Sequence, residues 1–262
     1  MISSKRVNHP PFFHRIASVW YRHMRVYTKN LITNGFPPFI EPLIFLSAIG
    51  LGLGKYVTEM GGIPYIKFLA SGLLVTAAMF TAAFECSYGT YIRLEFEKAY
   101  NGMLAAPITV NDLLMGEILW AGTKGLFFST AVLTVISIFG ILSVQLFLVV
   151  PILGFLTGMM FAALSLFVTS FVRDINQFNF YFTGFISPMF FFSGVVFSLD
   201  NLPSFMKVIA EVLPLTHVVR LVRACCLTGF SDWVFFDLCY IVALTGGVGF
   251  FAIRRLKRRL ID

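Results

Sequence analysis

Charge is scarce in these 262 residues: Asp, Glu, Lys and Arg together make up 13%. A soluble domain carries roughly twice that share, so this composition excludes an ordinary water-soluble fold. Catalytic constellations are missing too. The four histidines and four cysteines form no Ser-His-Asp, Cys-His or HExxH arrangement and no CxxC pair. Hydrolytic chemistry and a cysteine-held metal therefore have no support. Cys225 and Cys226 are adjacent, which is poor geometry for a disulfide, and with Cys86 and Cys239 they read as small membrane hydrophobes. The glycine-rich stretch from Gly50 to Tyr56 fails the phosphate-loop spacing, and Tyr56 stands where that loop needs a hydroxyl residue after its lysine. Any ATP must then be handled by another chain. The first 30 residues hold Lys5, Arg6, Arg15, Arg22, Arg25 and Lys29 with no apolar core before a small-residue site, so no cleavable signal is expected. Alternating ten-residue strands, the mark of a membrane barrel, are absent as well.

What is present is apolar: 58% hydrophobic residues, 31 phenylalanines and a mean hydropathy of +0.83. A spanning helix needs about 20 apolar residues. The pattern predicts an all-α membrane protein with six transmembrane helices near 36–54, 63–88, 111–140, 146–171, 176–199 and 233–253, in one domain over 1–262. Before the first span, over 11–33, Phe12, Ile16, Trp20, Tyr27 and Leu31 share one helical stripe. Arg15, Arg22, Arg25 and Lys29 lie mostly off it. That arrangement predicts an amphipathic helix in the interface, apolar face in lipid and basic face toward headgroups. Pro37, Pro38 and Pro42 around Glu41 predict a broken start to the first span.

The net charge of +7 would suit nucleic acid in a soluble protein. In a membrane protein it reads as retention on the inner side. With six spans, fourteen of the twenty Lys and Arg residues fall on the side that holds both termini. Both termini are therefore expected in the cytoplasm, with no nucleic-acid partner.

The stretch from Ser187 to Arg223 begins as membrane helix and stops behaving like one. Asp200, Asn201 and Pro203 break it, Phe205 to Leu213 is too short to span, and Pro214 breaks it again before His217, Arg220 and Arg223. Such backbone is tolerated where it packs in protein or lines a wet cavity. Residues 200–228 are expected to dip into the membrane from the outside and return. His217, Arg220 and Arg223 are expected to hold the short helices in place.

Charges inside spans are costly and default to functional hypotheses. Glu85, Glu117 and Lys124 qualify, with Glu117 and Lys124 seven apart on one face and able to pair through an intermediate partner. A packing network and a proton relay both remain open for them. Glu41, Phe182 and Phe185 join them as candidates for a polar network or a substrate path. In the charged loop from Tyr91 to Asp112, residues Arg93 to Tyr100 are expected to form a short helix along the membrane, with Glu95, Glu97 and Lys98 outward.

The layout resembles the ABC-2 type permeases, the membrane subunits of ATP-driven exporters. The family's motif falls on Ser193-Gly194-Val195, Leu202-Pro203, Pro214-Leu215-Thr216-His217 and Arg223, although a smaller aliphatic residue is expected where Phe192 stands. Within that family the chain is similar to the nodulation protein J subgroup, through Glu41-Pro42-Leu43-Ile44, Gly50 to Gly54, Tyr65-Ile66, Phe68-Leu69-Ala70, Ala82 to Glu85, Gly116-Glu117 and Ala121 to Lys124. The resemblance implies a bacterial inner-membrane permease that is not itself an enzyme, with ATP and Mg on a separate ATPase of the nodulation protein I type. It implies a homodimer of permeases with two ATPases, surrounded by membrane lipid, moving a lipid-linked oligosaccharide. Residues 91–104 become the coupling loop, carried by Arg93, Glu95, Phe96, Glu97, Lys98 and Tyr100. Ser193, Gly194, Pro203, Pro214, His217 and Arg223 become an outer gate. A proton-coupled carrier using Glu85, Glu117 and Lys124 is the alternative; carriers commonly show paired broken helices, and one broken segment is visible here.

Overall fold

The computed structural model describes residues 10–143, 148–229 and 233–261, and its backbone is helical almost throughout. The helices are α1 (Phe12–Lys29), α2 (Leu31–Gly54), α3 (Tyr65–Phe96), α4 (Ala99–Leu104), α5 (Val110–Ile138), α6 (Val150–Thr169), α7 (178–192), α8 (Ser204–Val212), α9 (Pro214–Arg223) and α10 (Trp233–Ile261). A two-residue hairpin, β1 (Glu59–Met60) against β2 (Ile63–Pro64), joins α2 to α3. It turns on Gly61 and Gly62, both at positive φ, as a tight antiparallel turn requires.

Among the described residues, five helices are long and apolar enough to cross a membrane: α2, α3, α5, α6 and α10. The stretch expected to form a span over 176–199 is α- or π-helical over 178–192, after a single 3-10 turn at Ile175–Gln177. At about 1.5 Å per residue that reaches ~22 Å, short of a hydrocarbon core of about 30 Å. It stops at Ser193, and Gly194 then turns the chain at φ +80°. α3 runs eight residues past the expected end at 88, through two widened π-type turns at Glu85–Gly89 and Ile92–Phe96. α10 likewise continues beyond 253. The expected start of the fourth span, at 146, and the side chain of Glu41 lie outside the described residues.

Close approach of small residues binds the central pair, α5 and α6. A Cβ on Gly125 would stand 2.5 Å from the Gly154 carbonyl, and one on Gly158 would stand 2.7 Å from that of Ala121. Lipid tails are as apolar as leucine, so membrane helices gain from such backbone contact. Ser129 on α5 adds a bond across to the Leu74 carbonyl of α3, at 2.6 Å. α3 is the most enclosed span, packed by α5, α6 and α9. α2 and α10 leave most of their surface outward, with Ile44, Phe250 and Phe251 exposed.

The stripe of α1 does not face lipid alone. Ile16, Val19 and His23 are buried, and Val19 sits where a Cβ on Gly116 of α5 would be. Trp20 Nε1 donates to Thr123 Oγ1 at 2.9 Å, and Arg15 pairs with Asp112 at 3.2 Å. Asp112 also closes a capping box with Thr109, fixing the start of α5. The amphipathic helix is thus bolted to the first turns of α5, because small Gly116 opens a seat for it.

Candidate functional site

Four charges meet where α3, α4 and α5 join, at the end of the bundle that holds α1 and the last turns of α10. Arg93 Nη1 donates to Glu85 Oε1 and Nη2 to Glu117 Oε2, both at 2.7 Å. Lys124 Nζ donates to Glu85 Oε2 at 2.8 Å. Glu117 and Lys124 are therefore linked through Arg93 and Glu85. Tyr100 adds a bond from its hydroxyl to Glu117 Oε1 at 2.8 Å, and His23 Nε2 stands 3.0 Å from the same oxygen. Glu117 is fully buried and Arg93 nearly so. Burial, with Glu117 beside it, holds the Tyr100 hydroxyl protonated well above the usual phenol range, so it stays a donor. Two carboxylates and two cations balance, which is the condition for burying charge at all.

His23, Glu85 and Glu117 bring ligand atoms within 4.8 Å of one another, a spacing that suits a metal. The Arg93 guanidinium bridges those two carboxylates and Lys124 occupies the other oxygen of Glu85, so the negative charge a divalent ion needs is already taken.

The helix expected over Arg93 to Tyr100 is broken. Arg93 to Phe96 belong to the end of α3, and Lys98 takes a left-handed φ of +51° before α4 begins. A helix cannot continue through that conformation. Arg93 and Tyr100, on either side of the break, both face inward to the ion network. Phe96, Glu97 and Lys98 stay exposed, as do Asn101 and Gly102. Glu95 faces sideways and is bound by Arg259 of α10 at 2.9 Å as well as by Lys98 at 3.4 Å.

Beside the network a cavity of about 490 Å³ opens between α3 and α5. Phe80, Phe84 and Phe128 form apolar walls, and Glu85 and Lys124 supply its polar corner. Phe182 of α7 stacks on Phe84 with centroids 4.3 Å apart, whereas Phe185 lies further along, against Tyr181.

The opposite end has its own network. His217 Nδ1 lies 2.7 Å from Asp237 Oδ1, and its Nε2 lies 2.9 Å from the Glu211 carbonyl. Arg220 forks onto Asp237, with Nε donating to Oδ2 at 2.9 Å, and onto both Glu211 oxygens. The Arg223 guanidinium carbon sits over the Phe68 ring, 3.5 Å from its centroid, and Arg223 donates to the carbonyls of Phe68 and Val195. Ser193 is buried beside this region, Gly194 makes the turn, Pro203 precedes α8 and Pro214 opens α9. A cavity of about 370 Å³ lies among these segments, with Asp200, Lys207 and Arg220 on its walls.

Sequence reasoning missed Asp237, Glu211 and His23. Asp237 stands in the first turns of an apolar span, the same signal that singled out Glu85. His23 continues the buried spacing of Ile16 and Val19 along α1, so its place on the packed face was open to reading.

A bundle of long apolar helices, with a buried, charge-balanced network at one end and a partly exposed one at the other, defines a polytopic membrane protein. The sequence profile of the ABC-2 type transporter family matches residues 14–227, and the chain belongs to that family. It is similar to nodulation protein J of Sinorhizobium fredii, 32% identical over 246 residues that cover 94% of each chain. Nodulation protein J of Rhizobium leguminosarum bv. trifolii is 35% identical over 207 residues, 79% of each. The inner membrane transport permease YadH of Escherichia coli is 23% identical over 209 residues, 78% of this chain and 79% of that one.

Proposed function

We propose that this chain is the membrane subunit of an ATP-driven exporter in the bacterial inner membrane. Two copies work with two separate ATPase chains of the nodulation protein I type, which hold the ATP and Mg. The cargo is a lipid-linked oligosaccharide or a similar amphiphile. Both termini lie in the cytoplasm, α7 with residues 193–199 serves as a sixth, partial crossing, and 200–228 re-enters from outside as the exit gate. The membrane named for the YadH relative and the placement of most cations at the α1 end support this orientation.

One observation carries the proposal. The exposed turn of Phe96, Glu97 and Lys98 hangs directly from the buried network that ties α3 to α5, α4 and α1. A push on that turn by an ATPase would reach Arg93 within a few residues and shift several helices together. Coupling needs such an element with two arrangements that the partner binds unequally. The cavity with phenylalanine walls and a Glu85–Lys124 corner suits an amphiphile. Exposed Phe36 and Ile44 on α2, with Phe180 and Phe191 on α7, offer apolar faces where two copies meet around a shared path. A proton carrier would need a carboxylate able to shed its charge, and both candidates are held by cations.

Co-expression with the neighbouring genes tests the assignment: an ATPase subunit should co-purify, and its consistent absence would overturn the exporter reading. The coupling turn is tested by Phe96→Ala with Glu97→Lys, which leave every described ion pair intact. ATP hydrolysis should continue while export falls at least about tenfold; coupled transport at the normal rate would remove the turn from the mechanism. Glu95 is unsuited to this test, because its substitution also frees Arg259.

A further inference from the structure

The α1 end of the bundle carries a second cavity, of about 850 Å³, which the ion network does not use. It opens between the end of α3, the end of α6 and the C-terminal half of α10. Its lining divides by chemistry. Phe167, Phe171 and Phe251 supply its apolar lining, and the last two are about half exposed. Arg173, Arg254, Arg255 and Arg258 supply its cations. A fifth arginine, Arg259, is committed: it donates to the Thr169 and Val172 carbonyls and binds Glu95, the acidic residue of the lining. Among the described residues, none of the other four has a carboxylate partner. The Arg255 guanidinium carbon sits over Phe171, 3.7 Å from the ring centroid.

Four guanidinium groups gathered with no carboxylate partner among the described residues repel one another, and an anion would relieve that. Guanidinium forks match phosphate oxygens in pairs. The phenylalanines say which kind of anion. Phe251 precedes Arg254 and Arg255 by three and four residues, so ring and cations share one face of α10. The rings lie toward the apolar length of the helix and the cations toward its end. Moving outward along the cavity, the surface changes from apolar to cationic, the order of acyl chain and then phosphate. Retention of charge at the inner surface explains basic helix ends; it does not explain why cations and rings from two distant segments converge on one cavity.

We propose that this cavity binds an acidic phospholipid, its phosphate on Arg254, Arg255 and Arg258 and its chains along Phe251 and Phe167. The test uses the full chain in nanodiscs of mixed phosphatidylglycerol and phosphatidylcholine, followed by native mass spectrometry of retained lipid. Phosphatidylglycerol should be retained in preference, and Arg254→Gln with Arg258→Gln should cut that preference about tenfold. Arg25→Gln with Lys29→Gln, headgroup-facing cations on α1 away from the rings, should lower it by far less. The lysine pair, Arg254→Lys with Arg258→Lys, keeps the charge and should fall in between; it decides the matter if the glutamine pair does not fold. An unchanged preference in the decisive pair would overturn the proposal, as would an equal loss in the α1 pair. Inorganic phosphate that displaced lipid as well as added phosphatidylglycerol does would also overturn it, because the site would then read the anion alone.

Discussion

The two ion networks sit at opposite ends of one bundle and are built differently. At the α1 end, Glu85, Arg93, Glu117 and Lys124 come from two spans, and Tyr100 and His23 close over them from α4 and α1. Everything there is buried or nearly so. At the α9 end, His217 and Arg220 clamp α9 to Asp237 on α10 and to Glu211 on α8, and Glu211 is 46% exposed. The first network welds two long helices to each other and to α4 and α1. The second latches a short helical hairpin to a neighbouring span, with one partner in contact with solvent or headgroups. Burial sets the difference: a buried pair costs several kcal/mol to break, while a half-exposed one costs little.

Single substitutions should order themselves along that contrast. Arg93→Met leaves Glu85 and Glu117 facing each other without their shared cation. It should cost about 3–5 kcal/mol, read as a large fall in thermal unfolding temperature of the purified protein. Adding Glu117→Gln should recover much of the loss, and a double-mutant cycle that shows simple additivity would break the picture of one coupled network. Asp237→Asn weakens the buried anchor of the latch at the α9 end and should cost about 1.5–3 kcal/mol, with proteolysis rising first in the α8–α9 hairpin. Tyr100→Phe removes one donor to Glu117 while Arg93 remains, so about 1–2 kcal/mol is expected in the same unfolding assay. Glu211→Gln, the exposed partner, should change stability by less than about 1 kcal/mol. If Glu211→Gln proved as damaging as Arg93→Met, the contrast between weld and latch would fail.

How much of this was legible in the sequence varied with the distance between partners. The run of Val150 to Thr169 is apolar from end to end, and its helix could be read directly. The end of α3 could not. Arg93 looks like a loop residue by composition, and its inward turn depends on Glu85, eight residues back, and Glu117, twenty-four residues on. The left-handed turn at Lys98 ends α3 and starts α4, and from there the Tyr100 hydroxyl reaches Glu117 beside Arg93. Glu95 seemed free to meet a partner, yet Arg259 claims it from 164 residues away.

By itself the sequence determined the solvent. Its apolar runs, sparse charge and basic ends fit a lipid bilayer and nothing else, and helices are the form in which such runs satisfy their own backbone. Only the tertiary structure decided which charges meet. A buried carboxylate is tolerable in lipid when a cation reaches it, and that depends on which helices the small residues Gly116, Gly125, Gly154 and Gly158 allow to touch. Those contacts seat α1 on α5 and α5 on α6, and so place Glu117, Arg93, Glu85 and Lys124 in one chain of charge.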